Sequence, residues 1–199
     1  MLPPFPVILA AYHPEWPQMA ANHAERLRSL GPALVAVHHI GSTAVPGLCA
    51  KPIIDLMPLA TDLADLDRER VCVEALGYQW HGELGIPGRR YCTLSDETGA
   101  RIVQLHIFQS DSPHAARHLA FRDYLRAHPA AARAYENEKR RARDLHPGDS
   151  HAYCDEKAAW ILNMEARALV WFAGNSPPLV SPTGENEPVD SWIKDTRGF

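Results

Sequence analysis

Two apolar, β-branched runs joined by a glycine-containing loop constrain the fold of this chain more than any other feature. The first run is "ALVAVHHI" at residues 33–40, and the second is "KPIIDLMPL" at residues 51–59. Short runs of this composition, bounded by Gly and Pro, are typical of buried strands. Because buried strands need packing on both faces, the pair predicts a sheet with helices against it.

The pattern along the chain predicts an α/β (α+β) fold in which a mixed sheet is followed by helices. Apolar residues recur at helical spacing over 15–30 and over 62–76, whereas "ARIVQLHIF" at 100–108 alternates like a further strand. "PFPVILAAYHPEWP" at the N-terminus indicates a short strand and a turn. After residue 112 the spacing is helical over 114–128, 129–145 and 153–173.

These elements predict three consecutive parts. The first is an α/β core at residues 1–112, and the second is a helical part at 113–173 that packs on the core. The third is a tail at 174–199, rich in Pro, Ser, Gly and acidic residues, which we expect to be flexible although Trp192, Ile193 and Phe199 offer docking side chains.

Composition bounds the class of protein and its partners. Of the 199 residues, 46% are hydrophobic and 22% are charged, so the chain can bury a core of its own. A formal net charge of −4 argues against a nucleic-acid partner, because such proteins usually carry a basic surface. The four cysteines form no CxxC pair, and the N-terminus has neither a basic segment nor a long apolar run. We therefore predict a cytoplasmic protein with no membrane contact.

The loop between the first two strands has the character of an anion site. A loop between a strand and a helix exposes backbone N–H groups that have no intrahelical partner, and the helix dipole adds positive potential. Glycine permits close approach and serine adds a hydroxyl donor, so Gly41, Ser42 and Thr43 are predicted to bind phosphate. Lys51, just before the second strand, is predicted to reach the same phosphate.

One carboxylate, Asp55, interrupts the second apolar run. Burying a carboxylate is unfavourable unless it is paired, hydrogen-bonded or bound to a metal. Two interpretations stay open. Asp55 pairs with Lys51, an arginine or loop amides, or it binds a hard cation such as Mg²⁺, which prefers oxygen ligands and often bridges carboxylates to phosphates.

Several stretches of the chain resemble the GrpB family, a largely uncharacterised group. The resemblance covers roughly residues 7–172, and its most specific block is "HHIGSTAVPGLCAKPIIDLMPL" at 38–59. It continues in "YHPEWPQMA", "RIVQLHIF", "HLAFRDYLRAHPAAARAYENEKRRA" and "YCDEKAAWI". The family is similar in fold to nucleotidyltransferases. These place Gly-Ser after one strand, a pair of metal-binding acids on the next strand, and a third acid on a later strand.

Carried over by position, the resemblance implies an incomplete set of metal ligands. Gly41 and Ser42 match the Gly-Ser element, and Asp55 matches the first acid. Met57 stands where the second acid belongs, so two-metal catalysis lacks its carboxylate cluster. The later strand has no acid, and Gln104 and His106 point to the same side there. The implied catalytic residues are Asp55, Gln104 and His106, the implied metal ligands are Asp55 and His106, and the implied phosphate-binding residues of the helical part are Arg122, Lys139, Tyr153 and Lys157.

Three functions remain open at this level. The first is a nucleotidyltransferase-like transferase that binds a nucleotide with Mg²⁺. The second is a non-catalytic module for a nucleotide or a coenzyme-A-related phosphate ester, since similar domains occur fused to dephospho-coenzyme A kinase. The third is a hydrolase with a metal held by Asp55, His106 and either His39 or His81. Each predicts a pocket between the Gly-Ser loop, the Asp55 strand, the 101–108 strand and the helices.

Overall fold

The computed structural model describes residues 2–175, and it has the predicted mixed α/β fold. A single five-stranded sheet has the order β1-β2-β5-β4-β3. The strands are β1 (Leu34–Ile40), β2 (Ile54–Ala60), β3 (Gln79–Trp80), β4 (Arg90–Ser95) and β5 (Arg101–Gln109). β2 and β5 are parallel, and the other neighbouring strands are antiparallel.

Strand register brings together residues that are far apart in the sequence. Asp55 of β2 lies opposite Ile40 of β1, the residue that immediately precedes Gly41. On its other side, Asp55 lies opposite Gln104 of β5. Because side chains alternate along a strand, Met57 and His106 project from the same face as these residues.

Six α-helices cover the two faces of the sheet. They are α1 (Trp16–Leu27), α2 (Leu63–Arg68), α3 (Arg70–Ala75), α4 (Pro113–Ala127), α5 (Pro129–Leu145) and α6 (Ser150–Asn175). The face with Ile54, Leu56 and Leu105 shares a buried cluster with residues of α1, α2 and α3. The face with Met57 and Phe108 packs against Ala115 and Leu119 of α4 and against Phe172 of α6.

A third apolar cluster holds the helical part together and joins it to the loop after β1. It contains Phe121 and Leu125 of α4, Tyr135 of α5 and Ile161 of α6, together with Val45 and Leu48 of the loop. The predicted packing of the helical part on the core therefore includes the glycine-containing loop itself. This contact places α5 and α6 beside the end of β1.

Several predicted boundaries need correction because local chemistry ends or restarts the elements. The helix predicted over 15–30 ends at Leu27 and continues as a 3₁₀ helix over Arg28–Ala33, in which Gly31 has a φ of 64°. The single helix predicted over 62–76 is two helices that meet at Glu69, although Asp62 caps the first as expected. The N-terminal strand is reduced to one bridge between Ala10 and Ala50.

The last helix is longer at both ends than the sequence predicts. Asp149 accepts hydrogen bonds from the backbone N–H groups of His151 and Ala152, so α6 begins at Ser150 and not at residue 153. It continues to Asn175, past the predicted start of the tail at Gly174. The expectations for Trp192, Ile193 and Phe199 lie outside the described residues.

Two structural observations concern the expected compartment. Within residues 2–175, none of the helices combines the length and the apolar character that a membrane crossing needs. Cys49, Cys72, Cys92 and Cys154 are all free thiols. The cytoplasmic location stays a prediction.

Candidate functional site

A cleft with about 820 Å³ of empty space lies between the sheet and the helical part. It is bounded by the loop after β1, by β2 and β5, and by α4, α5 and α6, which is where the sequence predicted a pocket. The described residues that line it are Ile40, Gly41, Ser42, Thr43, Ala50, Lys51, Ile53, Asp55, Gln104, His106, His118, Phe121, Tyr135, Lys139, Tyr153, Cys154 and Lys157.

Asp55 stands at the strand side of this cleft and not in a closed ion pair. Its side chain is 28% exposed, and its Oδ1 lies 3.6 Å from Nε2 of His106. The carboxylate also lies against the backbone of Gly41, where a Cβ would come within 2.5 Å of Oδ2. With a φ of +69° as well, position 41 requires glycine for both space and conformation. The Gly-Ser element therefore serves first to make room for Asp55.

His106 is buried behind Asp55 and is held on its other side by an arginine. Nδ1 of His106 lies 3.5 Å from the guanidinium of Arg89, which also donates to the carbonyl oxygens of Glu83 and Leu84. Burial lowers the pKa of His106 below its usual value, and the nearby carboxylate opposes that shift without reversing it. His106 is therefore neutral near pH 7.

Gln104, the second residue on β5 that faces this side, is hydrogen-bonded within the sheet. Its Oε1 accepts a hydrogen bond of 2.7 Å from the hydroxyl of Tyr91. The guanidinium of Arg101 in turn donates to the Tyr91 hydroxyl at 3.4 Å. Burial raises the pKa of Tyr91 to about 12, so the phenol keeps its proton and continues to donate. The amide oxygen of Gln104 is thus committed to Tyr91.

The ligand set for two metal ions is absent from the described part of the chain. Met57 is fully buried in the apolar cluster beneath α4. Residues 2–175 contain no group of three His, Cys, Asp or Glu side chains arranged to hold a metal. His39 instead hydrogen-bonds Thr43 at 2.9 Å, and His81 hydrogen-bonds Thr93 at 2.8 Å. The proposed ligand set of Asp55, His106 and either histidine does not assemble, and the residues present do not fit the two-Mg²⁺ arrangement.

The loop after β1 differs from the expected helix N-terminus. Its only helical segment is a three-residue 3₁₀ turn at Ser42–Ala44, which is too short for the expected helix dipole. Ser42 lies beside the phenol of Tyr135, and Thr43 is almost fully buried and hydrogen-bonded to His39. The loop therefore lacks the predicted helix N-terminus and its dipole. The main positive charge of the cleft lies elsewhere.

That charge comes from α5 and α6, which each present a tyrosine followed four residues later by a lysine. The ammonium group of Lys139 lies 4.8 Å from the ring centroid of Tyr135, and that of Lys157 lies 4.9 Å from the ring centroid of Tyr153. Residues four apart on a helix share a face, so each lysine makes a cation–π contact with the tyrosine of its own helix. The matching segments are "YENEK" at 135–139 and "YCDEK" at 153–157.

Lys139 is the most buried of these cations. It is 2% exposed, and its ammonium group donates a hydrogen bond to the carbonyl oxygen of Cys49. Burial lowers the pKa of Lys139 to about 8, and repulsion from Lys157 adds to the shift. An anion placed beside Lys139 opposes this shift by stabilising the charged form.

A third lysine completes the cationic side of the cleft. Lys51 lies 5.0 Å from the ring centroid of Phe5 and 5.5 Å from that of Tyr153. Burial lowers its pKa as well. The chain has four lysines, and Lys194 lies outside the described residues, so every lysine that the structure describes lines this one cleft.

Arg122, and Arg89 and Arg90 of the segment "GRRY" at residues 88–91, take other positions. Arg122 does not line the cleft; its guanidinium binds Asp123 and the carbonyl oxygen of His39, which supports β1. Arg90, at the start of β4, pairs with Asp67 of α2 and does not line the cleft. Arg89 approaches the site from behind His106.

Comparison with known proteins places this architecture. The model of the GrpB protein family matches residues 6–167. The chain belongs to the GrpB family. The crystal structure of the conserved protein GrpB from Enterococcus faecalis superposes with a TM-score of 0.78 at 36% identity, covering 83% of this chain and 99% of that one.

Other relatives are longer than the GrpB region that they share with this chain. The UPF0157 protein YqkA of Bacillus subtilis is 36% identical over 171 residues, which cover 85% of this chain and 49% of YqkA. The dephospho-CoA kinase of Mycolicibacterium paratuberculosis is 30% identical over 83% of this chain and 47% of the kinase. The chain thus spans about half the length of each. A weaker likeness, with a TM-score of 0.47 and 11% identity, is to terminal uridylyl transferase 4 from Trypanosoma brucei with bound dUTP.

In this GrpB chain, sequence reasoning missed three residues of the site. Tyr135 was not singled out because it lies in a highly charged stretch of sequence. Its spacing from Lys139 nevertheless equals that of Tyr153 from Lys157. His118 of α4 also lines the cleft, and its ring lies 5.8 Å from that of His106. The loop at 88–91 was considered as an anion clamp or a hairpin cap, but the role of Arg89 against His106 was missed because it depends on burial behind β5.

Proposed function

We propose that this GrpB chain binds a small molecule that bears phosphate, such as a nucleotide or another phosphate ester. The observation that supports the proposal is the convergence of three lysines on one cleft that contains a single carboxylate. Charge-assisted hydrogen bonds between ammonium groups and phosphate oxygens contribute about 1.5–3 kcal/mol each. Three such groups give enough free energy for specific binding.

The lysines indicate the anionic end of the ligand, and the neighbouring surfaces indicate the other end. Ile40, Ile53 and Phe121 supply apolar lining beside the charged groups. A ligand with a phosphate and a larger organic part matches this combination better than an inorganic ion does. The relationship to a dephospho-CoA kinase is consistent with phosphorylated coenzymes as one group of candidates.

Mg²⁺ stays a prediction and is not required by the proposal. Asp55 is the only carboxylate among the described lining residues, and Met57 is buried away from the cleft. Nucleotidyl transfer by two ions lacks its ligand set, so binding is proposed to depend on the lysines. Transfer chemistry by this chain stays a prediction that a pyrophosphate-release assay tests.

A thermal-shift screen tests the proposal directly. Purified protein is heated with ATP, AMP, coenzyme A, dephospho-coenzyme A or pyrophosphate, each in EDTA and in Mg²⁺. A ligand present at 100 times its Kd stabilises the native state by about 2.7 kcal/mol, which raises Tm by roughly 5–10 °C for a domain of this size. No shift with any phosphate compound at millimolar concentration contradicts the proposal.

A matched pair of variants shows whether a shift arises in the cleft. Lys139→Met removes a buried cleft cation, whereas Arg140→Met removes an adjacent cation that pairs with Glu136 on the surface. We expect the first variant to lose the shift and the second to keep it. Equal effects of both variants indicate nonspecific attraction, and a shift seen only in Mg²⁺ favours a metal-dependent site.

A further inference from the structure

Asp55 is difficult to explain in a cleft that binds only phosphate. Among the described lining residues it is the one carboxylate, and it repels an anion bound nearby. The chain nevertheless holds this carboxylate firmly. Gly41 leaves space for Oδ2, and His106 faces Oδ1 at 3.6 Å. Such support indicates that the carboxylate itself contacts the ligand.

His106 cannot take over the chemistry of the missing acids, because both of its ring nitrogens are directed at protein groups. A guanidinium has only donors, so Nδ1, which faces Arg89 at 3.5 Å, is the acceptor nitrogen. The proton of the neutral ring is then on Nε2, the atom that faces Asp55. In this arrangement His106 neither accepts a proton from a ligand nor offers a lone pair to a metal.

The structural order is therefore Arg89, then His106, then Asp55, with the carboxylate at the cleft. Arg89 is 4% exposed and fixes the tautomer of the ring. The ring directs its Nε2–H toward one carboxylate oxygen and so orients the carboxylate. A carboxylate held in this way can accept a hydrogen bond from a donor group on the ligand.

We infer that the ligand of the cleft carries, in addition to its phosphate, a hydroxyl or amino group that donates a hydrogen bond to Asp55. This inference rests on the proposed function. It narrows the ligand class to phosphorylated polyols, which include the ribose of a nucleotide, and to phosphorylated amino alcohols. Arg89 and His106 are positioning residues, which act on the ligand through Asp55.

Isothermal titration calorimetry in EDTA with three probes separates these possibilities. Propyl phosphate offers phosphate alone, ribose 5-phosphate adds hydroxyl groups, and 3-aminopropyl phosphate adds an amino group. We expect wild-type protein to bind ribose 5-phosphate or 3-aminopropyl phosphate at least tenfold more tightly than propyl phosphate. The preferred probe identifies the donor group. Asp55→Asn is expected to remove this preference while propyl phosphate binds as well as before or more tightly.

Each alternative outcome has a distinct meaning. Equal wild-type affinities for all three probes overturn the inference and leave the proposed function intact. Weakening of all three probes in Asp55→Asn also overturns it, because Asp55 then acts structurally. Lys139→Met should weaken every probe, since it removes a cation from the phosphate site. Failure of wild-type protein to bind any probe contradicts the proposed function itself.

The positioning role has its own measurement. In ¹⁵N-edited NMR spectra of wild-type protein at neutral pH, His106 should appear as the neutral tautomer protonated at Nε2. His106→Gln, which keeps a side-chain donor, should retain part of the preference, whereas His106→Leu should lose it and still bind propyl phosphate. Titration of His106 near its ordinary pKa, or a tautomer protonated at Nδ1, overturns this assignment.

Discussion

The two sides of the cleft are built on different physical principles. On the strand side, register sets the positions of Asp55, Gln104 and His106, and hydrogen bonds or close packing restrain each side chain. On the helix side, Lys139 and Lys157 place their ammonium groups over tyrosine rings in a poorly solvated part of the cleft. The first side is optimised for precise positions, and the second holds charge at a cost to stability.

This difference predicts opposite responses to substitution. Changes on the strand side disturb packing and should lower the free energy of unfolding. Replacing the most buried lysine on the helix side should remove an unfavourable desolvation, so stability should be kept or increased while binding is lost.

Met57→Asp on the strand side should have the largest effect. It restores the acid expected at that position but places it in an apolar cluster with no cationic partner among the cluster's residues. We expect the free energy of unfolding to fall by more than about 4 kcal/mol. Urea denaturation followed by circular dichroism measures it. Met57→Leu is the control and should cost less than about 1.5 kcal/mol; a well-folded Met57→Asp protein contradicts the prediction.

Gly41→Ala tests the packing of Asp55 against the loop. The new Cβ would meet Oδ2 of Asp55 at 2.5 Å, whereas at Gly47, with a similar positive φ, nothing lies within 4 Å. Both substitutions strain the backbone, so their difference isolates the steric contact. We expect Gly41→Ala to be the less stable by about 2 kcal/mol in urea denaturation. Equal losses indicate that Asp55 moves away freely.

Lys139→Met on the helix side should raise stability at neutral pH by about 1 kcal/mol. The pKa of Lys139 is lowered from 10.5 to about 8, so between these values the unfolded chain binds more protons than the folded chain. Wild-type stability should therefore rise as pH increases from about 8 toward 10.5, and the variant should lack this rise. Denaturation at pH 7 and pH 10 measures both, and destabilisation by the variant contradicts the contrast.

Ligand binding should show the smallest effect, as a dependence on pH. Phosphate favours charged Lys139, whose pKa is about 8, so affinity should fall by about fourfold between pH 7 and pH 8.5. Calorimetry at pH 8.5 in buffers with different ionisation enthalpies should reveal proton uptake on binding. Lys139→Arg keeps its charge and should flatten the profile. If the affinity of wild-type protein does not change with pH, Lys139 does not contact the phosphate.

Much of the strand side could be read from the sequence. Two apolar runs indicated the strands, because local composition specifies buried strands. The single acid within the second run marked a residue that lines the cleft. Met57 stands where the second acid was expected, and the structure buries it in an apolar cluster. The expectation for the loop at Gly41 was wrong, because its glycine suggested a helix N-terminus that the structure lacks. Glycine is needed there because a Cβ would clash with the carboxylate of Asp55 on the neighbouring strand.

The helix side depended on tertiary contacts. Lys139 and Lys157 were identified through family motifs, yet a sequence cannot show whether a lysine on a charged helix faces solvent or a cleft. Tyr135 and Arg89 were missed for the same reason, since their roles arise from burial against other elements. Arg122 was predicted to bind phosphate, and only the folded chain shows that it supports β1.

By itself, the sequence determined the alternation of strands and helices, the acid within β2 and the lack of its usual partners, because these follow from local patterns of side chains. The tertiary structure alone decided that the lysines at 51, 139 and 157 meet in one cleft and that Arg89 orients His106. The physical reason is that charge, desolvation and tautomer depend on distances between groups that are remote along the chain. Packing sets those distances.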